Sequence, residues 1–133
     1  MNIFIAYRFS GSDKRELRNL LEKVSESIEK YGHSTFIHFR DVENWKEIEL
    51  EPGKVLERVF LEIGKSDAVL ALVTSTEKSE GMLLEVGCAK GKGKKLILAI
   101  KVGAEAPLLK KLADVVVEFD TVERLVEMIP ENI

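Results

Sequence analysis

The chain has a single cysteine, Cys88, so no internal disulfide can form, and a reducing, cytoplasmic setting is the expectation. Its two histidines, His33 and His38, have no cysteine partners at ligand spacing and are too few to build a metal site. No metal or cofactor is expected. No apolar run approaches the roughly 20 residues of a membrane span. The first residues enter an apolar stretch at once, with no basic leader region or small-residue cleavage site, so no signal peptide is expected. Charge of neither sign dominates: 20 Lys and Arg face 23 Asp and Glu, a net charge of -3. That balance gives no reason for a polymeric nucleic-acid or membrane partner. Repeats, linkers and low-complexity segments are also missing. The run Gly91 to Lys95 closes a helix rather than opening one, which excludes a phosphate loop. No Ser/Thr-rich phosphate loop follows the first strand, which argues against a flavin-type electron carrier.

At 133 residues with 45% hydrophobic side chains, the chain fits one domain, residues 1–133, and needs no staples. A chain of this size buries roughly two-thirds of its unfolded surface. Ile3 to Tyr7 is a short apolar run that ends before Gly11: a buried strand. Asp13 and Glu16 form a capping-box pair, side chain to backbone in both directions, that starts a helix. Leu17, Leu20, Leu21, Val24 and Ile28 give that helix one apolar face, and Gly32 stands where a left-handed cap belongs. Ser34 to Phe39 reads as a second, less buried strand.

From Arg40 to Pro52 no period holds, which predicts a long surface loop. Trp45 is stranded there among charges, either as a packing lid or as a cover for a bound base. Val55, Leu56, Val59, Phe60 and Ile63 restore a helix up to Gly64. Asp67 to Thr74 is the most apolar run and too short for a helix, so it is a central strand. Ser79 can cap a helix to about Gly91. Lys95 to Val102 is a strand, Pro107 to Leu112 a short helix, Val115 to Phe119 a strand and Thr121 to Ile129 a closing helix.

Strands alternating with helices of this length predict an α/β, flavodoxin-like three-layer sandwich. Its sheet is five-stranded, mostly parallel and ordered 2-1-3-4-5. Its ligand crevice lies outside the carboxyl ends of strands one and three, where the winding reverses. The loops Arg8 to Ser12 and Ser75 to Gly81 flank that crevice.

Glu85 falls on the first turns of the helix after strand three, near the crevice. Gly81 stands one turn before it and Ala89 one turn after, so neither crowds the carboxylate. Its neighbours Met82, Leu83, Leu84 and Val86 are apolar, which predicts a carboxyl pKa raised by desolvation. The plainer alternative is a solvated glutamate favoured by the helix's positive end. Cys88, one turn on and without a histidine at hand, reads as an inert thiol.

The stretch SDAVLALVTSTEKSEGMLLEVGCAKGKGKKLILAI resembles the nucleoside 2-deoxyribosyltransferase superfamily, including the deoxynucleoside 5'-monophosphate N-glycosidases. The matching residues are Asp67, Thr74, Gly81, Glu85, Val86, Gly87 and Ala89. The resemblance implies cleavage or transfer at an N-glycosidic bond, with Glu85 as the nucleophile that attacks the anomeric carbon. The opening IFIAYRFSG resembles the family's first strand and substrate loop, and His38 falls where some members carry a substrate-side histidine. By this resemblance Gly11 and the Arg8 to Ser12 loop, Ser10 included, approach the base or phosphate. Gly81 with Met82 frames the sugar, and Tyr7 and Arg8 act from shifted positions. A nucleoside or nucleotide is the implied small-molecule partner and a homodimer the implied assembly.

Departures from the family pattern are specific. Val59 stands where members carry an aspartate, with Glu57 and Glu62 nearby, and Phe4 stands where they often carry a tyrosine. The phosphate-binding serine after strand four has no match; Lys101 and Lys110 are replacements on charge alone. The segments IFIAYRFSGSD and SEGMLLEVGCA are also similar to Toll/interleukin-receptor domains, whose enzymatic members cleave the nicotinamide bond of NAD with a glutamate on the equivalent helix. A non-catalytic nucleotide-sensing or protein-interaction module on the same scaffold is the alternative from another class.

Overall fold

Three apolar runs too short to be helices become the sheet's centre, where neither face meets water. In the computed structural model, which describes all 133 residues, these are β1 (Asn2–Ala6), β3 (Ala68–Val73) and β4 (Lys95–Lys101). Every residue of β3 is buried. β2 (Ser34–Phe36) and β5 (Val115–Phe119) flank them, giving the order β2-β1-β3-β4-β5. All four pairings are parallel, so the sheet is parallel throughout rather than mostly so. On edge strand β5, Val116 and Glu118 face outward while Val117 and Phe119 are buried.

Alternate strand residues point to opposite faces, and two apolar layers result. Ile3, Ile5, Leu70 and Leu72 pack with Leu21, Val24 and Ile28 of α1 (Lys14–Glu29) and with Leu125 of α6 (Val122–Met128). On the other face Phe4, Ala6, Val69 and Ala71 meet Val59 and Ile63 of α3 (Pro52–Lys65) and Met82, Val86 and Ala89 of α4 (Glu80–Gly91). The short α5 (Pro107–Leu112) joins β4 to β5.

Caps fix where the helices begin. Glu16 N–H donates to Asp13 Oδ1 at 2.9 Å, but the return half of the expected capping box is not formed. Met82 N–H donates to Ser79 Oγ at 3.2 Å, so Ser79 starts α4 as expected. Gly32 takes φ +89° after α1, the left-handed turn its position predicts.

The second strand corrects the expectation. It stops at Phe36, and His38–Asp41 form a single helical turn, α2. Buried Ile37 and Phe39 alternate with less buried neighbours, a period that one turn of helix also tolerates. Polar groups decide between the two. Asp41 accepts the Ile37 N–H at 2.8 Å, and the Phe39 N–H donates to Tyr7 Oη at 2.8 Å. Those donors are thereby lost to a strand ladder. After α2, Asn44, Trp45 and Glu47 hold positive φ values of 50°, 62° and 51°, a region unfavourable to bulky side chains. Trp45 is kept there by edge-on packing against Phe39 (5.1 Å between centroids) and by Arg18 over its ring.

Candidate functional site

The carboxyl ends of β1 and β3 lie side by side, so the residues just beyond them meet at the switch point. Tyr7 follows β1 directly. Burial pushes its phenol well above the ordinary tyrosine range, and the carboxylates of Glu85, Glu43 and Asp41 add to the rise. Tyr7 thus stays protonated, with the Phe39 N–H bonded to its oxygen.

Glu85 belongs to this cluster. α4 places Met82, Val86 and Ala89 against the sheet, which leaves Glu85 on the helix flank, half-buried and close enough to Tyr7 to act on it electrostatically. Burial pushes its carboxyl up to about 8, with no hydrogen bond or opposite charge to offset it. The direction of that shift is the one desolvation gives, not the one a helix's positive end gives. The cause, desolvation, is the one the sequence suggests, but the named neighbours differ. Met82 and Val86 are buried while Leu83 and Leu84 are 45% exposed, and Ala89 is a core residue rather than an opening beside the carboxylate. Gly81 does leave open space: a Cβ built there meets no atom within 4 Å.

His38, on α2 rather than on a strand, lies next to Phe39 and so beside Tyr7. Its Nδ1 is 3.2 Å from Glu43 Oε2, and its Nε2 is buried without a hydrogen-bond partner. Glu43 is the one charged residue among the buried ones. Nothing in the sequence marks it, because it sits in a stretch without periodicity.

Arg8 points elsewhere. Its Nη1 donates to Ser10 O at 2.9 Å and pairs with Glu77 at 2.8 Å across the crevice. The guanidinium occupies the space a Gly11 side chain would take, only 2.6 Å from an ideal Cβ, and Gly11 has φ +79°. Gly11 therefore makes room for Arg8. Ser10 is exposed and contributes its carbonyl to that arrangement.

Arg8 stands between two cavities. The larger, about 680 Å³, is lined by Gly11, Asp13, Thr74, Lys101 and Asp120 among others. The smaller, about 170 Å³, is lined by Thr74, Ser79, Met82, Leu83 and Pro107 among others. Met82 is only 4% exposed, so it is a core side chain that shows one edge to this space. The candidate residues therefore divide into two groups. Glu85 acts on the Tyr7 phenol and His38 is the residue before Phe39, whose N–H donates to it, whereas Arg8, Gly11 and Met82 line the cavities. Ser10 and Gly81 line neither cavity. Lys101 faces the larger cavity, while Lys110 is paired with Glu118 at 3.0 Å. Trp45 is a packing lid on Phe39. No group of three or more His, Cys, Asp or Glu side chains is placed to hold a metal ion, and no helix is long and apolar enough to cross a membrane.

The family model for nucleoside 2-deoxyribosyltransferase matches residues 5–124. Similar solved structures include the Clostridium botulinum CMP N-glycosidase BcmB, at 17% identity and TM-score 0.73 over 97% of each chain. BlsM, known from a solution structure, is 24% identical with TM-score 0.75 over 97% of this chain and 86% of its own. The 2-deoxyribosyltransferase of Bacillus psychrosaccharolyticus is 20% identical with TM-score 0.67, over 95% of this chain and 90% of that one. At these identities the likeness is one of fold. No curated protein matches the sequence.

Proposed function

The chain belongs to the nucleoside 2-deoxyribosyltransferase family, and from that premise we propose that it cleaves or transfers at the N-glycosidic bond of a nucleoside or nucleotide, with Glu85 as nucleophile. The observation that carries this reading is the Glu85 carboxyl: half-buried, without a hydrogen-bond or ion-pair partner, and within the field of a protonated phenol at the sheet's switch point. A carboxylate stripped of water and ion-pair partners is a stronger nucleophile and has a bond to gain at a sugar's anomeric carbon. The Tyr7 hydroxyl, which accepts the Phe39 N–H, keeps its proton and can donate a hydrogen bond to the carboxylate or to a sugar oxygen. The vacant space at Gly81 lets a sugar approach, with one edge of Met82 beside it. Arg8 and Lys101 are cations lining the larger cavity, beside Asp13, Glu16, Asp120 and Glu123. Arg8, bonded to the Ser10 carbonyl with room left by Gly11, would exchange Glu77 for an anionic 5' end. His38 lies on the base side.

The test is a glycosidase screen. Deoxynucleosides, their 5'-monophosphates, ribonucleotides and NAD are incubated with the protein and with Glu85→Ala, and free base or nicotinamide is read by chromatography. Base release that vanishes in the variant is the expected result. Release of nicotinamide alone would point to the Toll/interleukin-receptor type of chemistry.

A non-catalytic nucleotide-binding module is the second reading. It is favoured by Val59, a buried apolar side chain at 5% exposure where the resemblance calls for an aspartate, and by the absence of Glu85 from the lining of the two cavities beside Arg8. Nucleotide binding without base release in the same screen is its signature. Under either reading we propose a homodimer built on the neighbouring helices α3 and α4, where Leu61, Leu83 and Leu84 stand exposed at 54%, 45% and 45%.

A further inference from the structure

His38 Nε2 is the one buried side-chain nitrogen or oxygen in the molecule without a hydrogen-bond partner. Folded proteins rarely leave such an atom unmet, and where they do a ligand or water commonly supplies the partner. The other ring nitrogen is accounted for by Glu43 at 3.2 Å, itself buried. A carboxylate accepting from Nδ1–H fixes the ring's tautomer and orientation and leaves Nε2 for exchange with something outside the chain. Tyr7 links this pair to Glu85. Residue 39 donates its N–H to Tyr7, and the Tyr7 phenol lies within reach of the fields of both Glu85 and Glu43.

Resting on the glycosidase reading above, we propose that His38 is the acid–base catalyst of the glycosidic step and that Glu43 is its positioning residue. The leaving base must gain a proton as its bond to the sugar breaks, because the electron pair of the C–N bond departs with the base nitrogen. In the first step His38 enters as the imidazolium, with Nδ1–H held by Glu43 and a second proton on Nε2. Glu85 forms a C–O bond to the anomeric carbon, the C–N bond breaks with its electron pair on the base nitrogen, and the Nε2 proton passes to that nitrogen. In the second step water attacks the same carbon and gives its proton to Nε2. The new C–O bond forms, the bond to Glu85 breaks with its electron pair returning to the carboxylate, and both residues are restored. When a second base is the acceptor, its N–H proton takes the place of the one from water.

Other groups near Tyr7 are less suited. The Tyr7 phenol holds its proton too tightly to give it up. Asp41 is committed to Arg40 at 2.9 Å and to the Ile37 N–H at 2.8 Å. Glu85 is already used as the nucleophile.

The experiment compares leaving groups. Substrates carrying the base that the screen finds accepted are prepared with halogen or N-methyl substituents that make it a progressively better leaving group. Wild type, His38→Asn and Glu43→Gln are then assayed on the series. With the natural base, His38→Asn is expected to lose about 10²- to 10⁴-fold in kcat. With the best leaving group, which needs no proton, the loss shrinks to about tenfold or less. Glu43→Gln keeps an acceptor for Nδ1 but no charge, and is expected to lose roughly tenfold or more in kcat with KM little changed and the same leaving-group dependence. Each comparison is made within one variant, so partial unfolding cancels from the ratio. Equal losses across the series, or none, in a protein whose wild type releases base would overturn the assignment and leave Glu85 as nucleophile intact. A wild type that releases no base from any substrate overturns the glycosidase reading, and this inference with it.

Discussion

At the scale of single residues, the Glu85 carboxyl has two measurable consequences. Its ordinary value is 4.5 and burial raises it to about 8. Below pH 4.5 both folded and unfolded chains hold the proton, and the residue costs nothing in linkage. From pH 4.5 to about 8 the unfolded chain ionises while the folded chain does not, so stability is lost as pH rises. Beyond about pH 8 the loss is complete. Glu85→Gln removes the penalty. It should leave the melting temperature unchanged at pH 4 and raise stability on the order of 3 kcal/mol at pH 8 to 9, read by thermal melts across that range. In catalysis the order reverses, because a nucleophile must be ionised. The rate kcat/KM is expected to rise with pH as Glu85 ionises towards about 8 and to fall again where His38 loses the proton it must give, and a flat profile from pH 5 to 9 would argue against Glu85. Arg8 makes a separate prediction. Its replacement by Ala should raise KM for 5'-monophosphates by roughly 10- to 100-fold, the worth of one charge-assisted contact of about 1.5–3 kcal/mol. Unphosphorylated nucleosides should be little affected. Equal effects on both substrate classes would remove Arg8 from the phosphate's surroundings.

Elements decide how those residues are presented. The turn between β1 and α1 works only because Gly11 combines φ +79° with an empty Cβ position that the Arg8 guanidinium fills. Gly11→Ala meets both problems, a left-handed backbone and a 2.6 Å contact. It is expected to cost about 1–2 kcal/mol of stability in chemical denaturation and to reproduce the KM defect of Arg8→Ala by pushing the side chain aside. The sequence marked Gly11 as a substrate-side residue, and the structure adds that its missing side chain makes room for Arg8. The sequence reading fails at α2. Alternation of apolar and polar residues from Ser34 to Phe39 fits a strand, yet two side-chain oxygens, on Asp41 and Tyr7, take the amides of Ile37 and Phe39. That turn brings His38 to Tyr7. The turns beyond it carry Glu43 back onto His38, and no local pattern announces it.

Across the whole molecule, the parallel order places the ends of β1 and β3 together and the exposed leucines of α3 and α4 on the outside. If that apolar surface joins two copies, Leu84→Lys should convert a dimer into a monomer by light scattering. The intrinsic stability of each chain should barely change, since Leu84 is already 45% exposed. A wild type that is monomeric at all accessible concentrations would remove the interface.

The sequence by itself determined the sandwich, the strand order and the position of Glu85 near the crevice. These follow from local periodicity, from caps at Asp13 and Ser79, and from the right-handed crossover that a parallel strand pair requires. It also determined the family, whose motif is contiguous around Glu85. Only the tertiary structure decided what surrounds that carboxyl. Whether a side chain is desolvated depends on residues distant in the chain, and here β1, α2 and α4 converge on Tyr7. The pairing of His38 with Glu43, the removal of Ala89 into the core and the folding of Arg8 onto Gly11 are of the same kind. Each is a contact fixed by packing, and packing leaves no periodic trace in the order of the residues.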